Sequence, residues 1–432
     1  MTTTINNKHN KLNFSSEREQ SQACLNSAEH EKNQGRKVLN VPNLRFPEFQ
    51  GEWEKYTLED VMNFSTTRVN SSELNEGNYV STENMLQDYQ GIVDAKSVPE
   101  DVNVISFSCG DILISNIRPY LKKVWKATYN GGCSSDVFVL KANDNIESDY
   151  LHYVIANDKF INFVMSGAKG VKMPRGDKKQ MKTYCLSLPQ IQEQKKISTL
   201  LRLIDERIAT QSKIIDKLQS LIKGMEDNLL DNPLWEKTYL RSFMQFFPTN
   251  SLSWEQLSYK EGAIRNLHYG LIHGLQTRGI NSASLPMIKN EAIPKQYTLC
   301  QVGDVAFADA SEDTGEIAKS VEFVDTIEGE TICGLHTIHG RDIKNRTVVG
   351  FKGFAFNSRY FHNQIKRLAQ GTKVFSITAN NLSSCYVYLP DLDTQTAIVK
   401  LLRSYEEQLI IGRLILKQYE NQKQYLLRQM FI

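Results

Sequence analysis

Residues 189–230 read PQIQEQKKISTLLRLIDERIATQSKIIDKLQSLIKGMEDNLL, and residues 390–431 read PDLDTQTAIVKLLRSYEEQLIIGRLILKQYENQKQYLLRQMF. They align at a constant offset of 201 residues (390 against 189). On that register Pro189 meets Pro390, Gln194 meets Gln395, and Ile197 meets Ile398. Leu200-Leu201-Arg202 meets Leu401-Leu402-Arg403, Glu206 meets Glu407, and Ile214 meets Ile415. A repeat this widely spaced is not a solenoid unit; it marks a duplicated half-protein. Each copy predicts a long helix opening just after a proline, where a helix begins but cannot run through. In the first, Ile197, Leu201, Ile204, Ile208, Gln211, Ile215, Leu218, Ile222, Met225 and Leu229 alternate four and three apart, a sustained coiled-coil seam. The second seam runs Ile398, Leu402, Tyr405, Leu409, Gly412, Leu416, Tyr419, Lys423, Leu426 and Met430. Gln211 and Gly412 interrupt the seams near their middles. A polar seam residue can fix register at a cost in stability, and a mid-helix glycine costs about 1 kcal/mol; neutral drift is the other reading. The two stripes are expected to bury on each other, with the helices antiparallel.

At 432 residues the chain exceeds one typical core, so two or three domains are expected. Hydrophobic residues make up 41%, ordinary for a soluble protein, and no run of 18 apolar residues could span a membrane. The N-terminus lacks the apolar core of a signal peptide. The seven cysteines (24, 109, 133, 185, 300, 333 and 385) are scattered with no CxxC pair, which predicts free thiols in a cytoplasmic protein. A net charge of +2 is too small to advertise a nucleic-acid partner globally, so any such signal is local.

Residues 1–40 are polar and predict a disordered tail. Residues 41–188 predict a first mixed α/β domain, 189–232 the first helix, 233–389 a second such domain and 390–432 the second helix. In the first domain, 111–115 (DILIS) and 137–141 (VFVLK) are β-favouring runs, 150–165 has helical spacing, and 184–188 (YCLSL) is a last strand leading into Pro189. The second domain echoes this order. Trp235-Glu-Lys follows Trp53-Glu-Lys, 303–307 (GDVAF) follows 110–114 (GDILI), 354–368 takes the helix position, and 385–390 (CYVYLP) follows 184–189. Gly170-Val-Lys aligns with Gly371-Thr-Lys, and Met181 with Leu382. Elsewhere the two domains share almost nothing. One plan with two different surfaces suits a reader of two separated patches on one polymer, and binding through both raises affinity by effective concentration. The fold class expected is α+β, with two pseudo-repeated mixed α/β domains separated by two long antiparallel coiled-coil helices.

A DNA reader needs cations for phosphates and donors for base edges. The first domain offers Arg118, Lys122 and Lys123, and more densely 169–182 (KGVKMPRGDKKQMK), with Lys169, Lys172, Arg175, Lys178 and Lys179. That window holds six basic residues and one acid in fourteen, and its glycines let the backbone approach a phosphate. The second domain offers Arg341, Lys344, Arg346, Arg359 and Lys373. Solvated surface charge is the better reading of any single one; for the 169–182 cluster, phosphate and guanine contact is.

The arrangement is similar to the specificity subunit of type I restriction–modification enzymes, over 41–432. The residues that carry the resemblance are 41–47 (VPNLRFP) before Trp53, Leu188-Pro189 with Gln194-Lys-Lys-Ile, and the second-half string Gly371-Thr-Lys, Ile377-Thr, Leu382, Leu389-Pro390 and Gln395. The first half departs from that string: Pro174 and Arg175 stand where the second has Phe375 and Ser376. The resemblance implies two target-recognition domains, each reading half of a bipartite double-stranded DNA site. It implies helices that set the gap and dock methyltransferase subunits, two of them, with restriction–motor subunits joining that core. S-adenosylmethionine, ATP and magnesium are expected on those partners, and no cofactor, metal or catalytic residue in this chain.

The motifs agree with recognition without catalysis. Asn232-Pro-Leu-Trp approaches the Asn/Asp-Pro-Pro-aromatic signature of adenine methyltransferases, but its second proline is Leu234 and no glycine-rich cofactor loop accompanies it. An Asn-Pro helix stop explains it. Cys333-x-x-His336-x-x-His339 has ligand-type residues at an uncommon spacing in a turn-like stretch, and reads as loop or core, with base contact by the histidines a further option. No Gly-x-x-x-x-Gly-Lys-Ser/Thr loop, hydrolase triad or clustered-acid nuclease pattern is present. The reading from another class is a coiled-coil scaffold with two protein-binding heads and no DNA contact. It explains the seam, but not the local basic loops.

Overall fold

The computed structural model describes residues 39–432 except 276, 277, 326 and 328. The disordered tail expected at 1–40 therefore falls almost wholly outside the described residues. The chain divides into two compact units, one of residues up to 209 with 417–432, the other of 210–416. The division runs through both long helices, so each unit owns a piece of each.

The first unit hangs three sheets on its helix pieces. Glu54–Thr57 pairs antiparallel with Cys185–Leu188, which joins the domain's entry to its exit beside the start of the helix Ile191–Leu230. A four-stranded sheet runs Met62–Phe64, Val137–Ala142, Ile112–Ser115, Val124–Lys126, and a second runs Arg68–Asn70, Asn103–Phe107, Gly131–Cys133, Tyr79–Val80. The strands expected at 111–115, 137–141 and 184–188 are all present within a residue.

The second unit repeats the plan. Glu236–Tyr239 pairs with Tyr386–Leu389 beside the helix Leu392–Gln429. Its five-stranded sheet runs Met244–Phe247, Thr337–Asp342, Val305–Ala308, Ser320–Phe323, Gly279–Ile280. A four-stranded sheet runs Leu257–Ser258, Met287–Ile288, Ile264–Leu267, Glu330–Cys333, and a two-stranded one joins Ala310–Ser311 to Phe375–Ser376.

One expectation fails in the same way in both halves. The helix read over 150–165 is two helices, Ser148–Ile155 and Asp158–Ser166, and that over 354–368 is Phe351–Ala355 and Arg359–Leu368. The physical reason is a cap. Asn157 accepts the Lys159 amide and Ser358 the Phe361 amide, so each starts a new helix inside an apolar period that reads as continuous. The expectation of free thiols also fails at Cys185, which stands in a disulfide; Cys109, Cys133, Cys300, Cys333 and Cys385 are free.

The seam behaves differently along its length. Within the second unit, Ile215, Ile222 and Leu409 form a small core with Leu218, Tyr405 and Leu416. There Gln211 Nε2 donates to the Gly412 carbonyl at 3.1 Å. The two interruptions thus face each other. A Cβ at Gly412 would lie 3.1 Å from that amide and 3.5 Å from Ile215, so the glycine makes room for the glutamine. Leu402 enters the main core of the same unit, with Phe351, Phe354 and Leu389. Within the first unit, Leu201 and Ile204 join Leu58, Tyr150, Leu427 and Phe431, and Ile208 packs against them. Lys423, in the second seam, bonds Asp205 at 2.6 Å, and Arg207 lies over the Tyr419 ring. Residue numbers rise along one helix as they fall along the other, so the pieces in this unit are antiparallel.

Gln194 and Gln395 are the fold's repeated fastener. Gln194 donates to the carbonyls of Pro189 (2.9 Å) and Asn145 (3.2 Å) and accepts the Glu147 amide (2.8 Å). Gln395 donates to Pro390 and Arg346, both at 3.0 Å, and accepts Val348 N–H at 3.0 Å. Both side chains are buried, and every partner is a main-chain atom.

Candidate nucleic-acid interface

In the first unit the two basic segments meet. Lys169 and Arg175 exchange both main-chain hydrogen bonds, at 3.0 and 2.9 Å, closing a hairpin whose turn needs Gly170 at φ +97°. Arg118 N–H donates to the Pro174 carbonyl at 2.8 Å, and Gly176 N–H to Asn116 at 3.0 Å. Arg118 and Lys122 flank the short 3-10 turn Pro119–Leu121 with left-handed backbone. The hairpin tip is open to solvent at Val171, Lys172 and Met173.

The cations differ in what already holds them. Lys169 bonds Asp177 at 2.8 Å, Arg175 lies 3.6 Å from Asp136, and Lys122 bonds Asp158 at 2.8 Å. The hydrogen bond from Lys169 leads the causes that hold the Asp177 carboxyl below its usual range. Lys123 donates to the Thr82 carbonyl at 2.6 Å, and burial pushes its pKa down. Lys178 sits over the Phe64 and Phe138 rings, and burial lowers it too. Lys172 and Lys179 are exposed. The most accessible cations of the cluster are therefore Lys169, Lys172, Arg175 and Lys179.

The second unit keeps the hairpin. Gln370 and Ser376 exchange main-chain hydrogen bonds at 3.0 and 2.8 Å, with Gly371 at φ +129° and Lys373 and Val374 exposed at the tip. Pro174 and Arg175 in the first half thus leave the conformation of the second half's Phe375 and Ser376 version intact. Ile117 pairs with Arg175 as Ala310 pairs with Ser376. Here the halves part. The loop after Ala310 carries Glu312, Asp313 and Glu316 where the first half carries Arg118, Lys122 and Lys123.

Arg341, Lys344 and Arg346 are not brought to this hairpin. Arg341 grips Asp304 with two 2.7 Å hydrogen bonds and lies over Phe247. It stands four residues, ~13 Å of strand, from Thr337, the end nearest the hairpin's neighbour Asp309. Arg346 pairs with Glu236 at 2.6 Å. Lys344 is exposed on the same loop, and Arg359 is exposed at the start of its helix.

An aromatic and histidine group stands beside the hairpin instead. His336, at φ +53°, bonds Asp309 at 3.1 Å and meets the Tyr269 ring edge-on at 5.2 Å. Tyr269 also meets His273, whose Nε2 is 3.1 Å from the Ala310 carbonyl. Lys319 donates to the His273 carbonyl at 3.0 Å. Base stacking and base-edge hydrogen bonding need such side chains. Tyr269, His273 and Lys319 were missed in the sequence reading; the run HYGLIHG at 268–274 was the available signal. His339, expected in a turn with His336, lies instead within the buried strand Thr337–Asp342, because that strand begins directly after His336. Asn232 is a helix stop: its side chain accepts the Leu234 amide at 3.0 Å, and Leu234 is exposed.

Two mixed α/β units that share one plan, with paired long helices and no helix long and apolar enough to cross a membrane among the described residues, define the class of fold. Residues 50–220 match the type I restriction modification DNA specificity domain. The chain is 26% identical over 312 residues to the MjaVIII specificity subunit of Methanocaldococcus jannaschii, covering 68% of this chain and 72% of that one. It is 24% identical over 410 residues to the putative MjaX specificity subunit of the same organism, covering 90% and 94%. The type I S subunit from M. genitalium has the same fold, with a TM-score of 0.58 at 14% identity over 91% of this chain and 99% of that one. A chain from a structure of type I complex assembly and conformational transition gives 0.53 at 15%, over 88% and 97%. Residues 50–220 thus resemble the DNA specificity domain of type I restriction–modification systems, and the chain is similar along most of its length to specificity subunits of such systems.

Proposed function

We propose that each recognition domain, 41–188 and 233–389, reads one half of a bipartite DNA site, and that the helix pair sets the unspecified gap and docks methyltransferase subunits. The observation that carries this reading is the hairpin present in both halves. Its backbone is held by one set of main-chain bonds, while its tip and surroundings differ: Lys172 and Arg175 with Arg118 bonded to Pro174 in one, and in the other Lys373 at the tip of a hairpin whose base pairs with Ala310, next to the Asp309 that His336 bonds. A constant scaffold with variable donors suits two half-sites of different sequence. S-adenosylmethionine, ATP and magnesium belong on this reading to the methyltransferase and restriction subunits, two methyltransferase copies joining the specificity chain in the cytoplasm.

The test is to express the chain with its methyltransferase subunit in a host lacking adenine methylation and to map methylated adenines genome-wide. The reading expects one motif of two short specified halves around a fixed gap. A continuous motif refutes two separate readers. A folded complex that neither methylates nor binds duplex DNA moves the reading to a protein-binding scaffold.

A further inference from the structure

We propose that the second unit binds one zinc ion between Cys300, Cys333 and His339. The two sulfurs and a ring nitrogen of His339 all lie within 4.8 Å of one another, and all three residues are buried. The sulfurs are 3.6 Å apart, close to the ~3.8 Å that two thiolates span on a tetrahedral zinc. His339 Nε2 is 2.7 Å from Asp304 Oδ2, while Nδ1 is buried and has no hydrogen-bond partner. A ring 1% exposed that leaves a nitrogen unpaired is unusual, because such an atom ordinarily costs about 1–3 kcal/mol. A carboxylate on one imidazole nitrogen is also how proteins orient a histidine whose other nitrogen takes a metal.

The charges close. Two thiols release two protons, and the resulting thiolates neutralise the dication; Arg341 neutralises Asp304 through its pair of 2.7 Å hydrogen bonds. Two sulfurs and one nitrogen favour zinc over magnesium or calcium, and leave one position for a solvent ligand. The fold does not require these residues. Cys133 ends the strand equivalent to that of Cys333, and Val139 pairs with Leu113 as His339 pairs with Ala306. Phe107 stands where Cys300 does, and Phe107, Cys133 and Val139 pack in one apolar cluster. Only the second half turns this plug into a donor set. The ion would tie Glu330–Cys333, in the four-stranded sheet, to Thr337–Asp342, in the five-stranded one, across the turn that presents His336.

The experiment uses the full-length, tag-free chain, freed of metal by a chelator under a non-thiol reductant and titrated with cobalt(II) as a spectroscopic stand-in for zinc. One equivalent should raise a sulfur-to-cobalt charge-transfer band that zinc then abolishes. The band should vanish in Cys333→Ala and in Cys300→Ala, each checked for native circular dichroism, and persist in Cys109→Ser, which removes an exposed thiol. Zinc should slow alkylation of Cys300 and Cys333 at least tenfold in the unsubstituted chain, a readout independent of any variant's folding. A folded, reduced chain that gives no band, a band that survives Cys333→Ala, or a Cys300–Cys333 disulfide in the chain as purified would overturn the proposal.

Discussion

Glu406 is the second unit's most conspicuous carboxyl. Burial pushes its pKa up to about 7, although Arg278, whose amide it accepts at 3.2 Å, pulls the other way. Glu226 sits near the same arginine, at 3.5 Å, and burial raises it as well. Arg278 thus serves two acids, Glu226 through its guanidinium and Glu406 through its main-chain amide. The folded chain keeps a proton on Glu406 between about pH 4.5 and 7, where the unfolded chain has released it. Stability from this group is therefore present at low pH, lost as pH rises through that window, and flat above it. Urea unfolding of Glu406→Gln against the unsubstituted chain at pH 5 and 7.5 should show the variant gaining relative stability at the higher pH. A difference independent of pH would assign the acid no linked proton. Gln395→Ala orphans three main-chain groups, so it should destabilise the second unit by about 2–4 kcal/mol in a denaturant titration. Gln194→Ala should do the same to the first unit.

The long helices were legible because a repeat every 3.5 residues is a strong signal over forty residues. Less legible was what the period packs against. Ile215, Leu218 and Leu409 meet across the helices, whereas Leu201 and Leu402 end in domain cores that no helical period reveals. Gln211 and Gly412 could be read as drift from one stretch alone. Their function is visible only when two residues 201 apart are seen to touch. Gly412→Leu should cost about 1–3 kcal/mol through overpacking against Ile215 and the Gln211 amide. Gln211→Ala should cost about 1 kcal/mol, and the double variant less than the sum of the two in the same unfolding assay. The basic hairpin was half legible. Composition singled out 169–182, but not that Lys178 would turn onto two rings or that Arg341 would be taken by Asp304, since both depend on neighbours distant in sequence.

For the whole molecule, the proposed division of labour predicts separable defects. Lys172→Ala with Arg175→Ala should relax one half of the methylated motif and reduce the salt dependence of DNA binding, leaving the other half unchanged. Lys373→Ala should do the reverse. Lengthening both long helices by matched heptads should alter the gap and neither half; an unchanged gap would remove the helices from its definition. The repeated glutamine carries a further consequence. The hydrogen bonds of Gln194 and Gln395 all go to main-chain atoms, so this joint's hydrogen bonding does not depend on which side chains those domains carry. A socket that recognises backbone alone accepts any plug of the right shape.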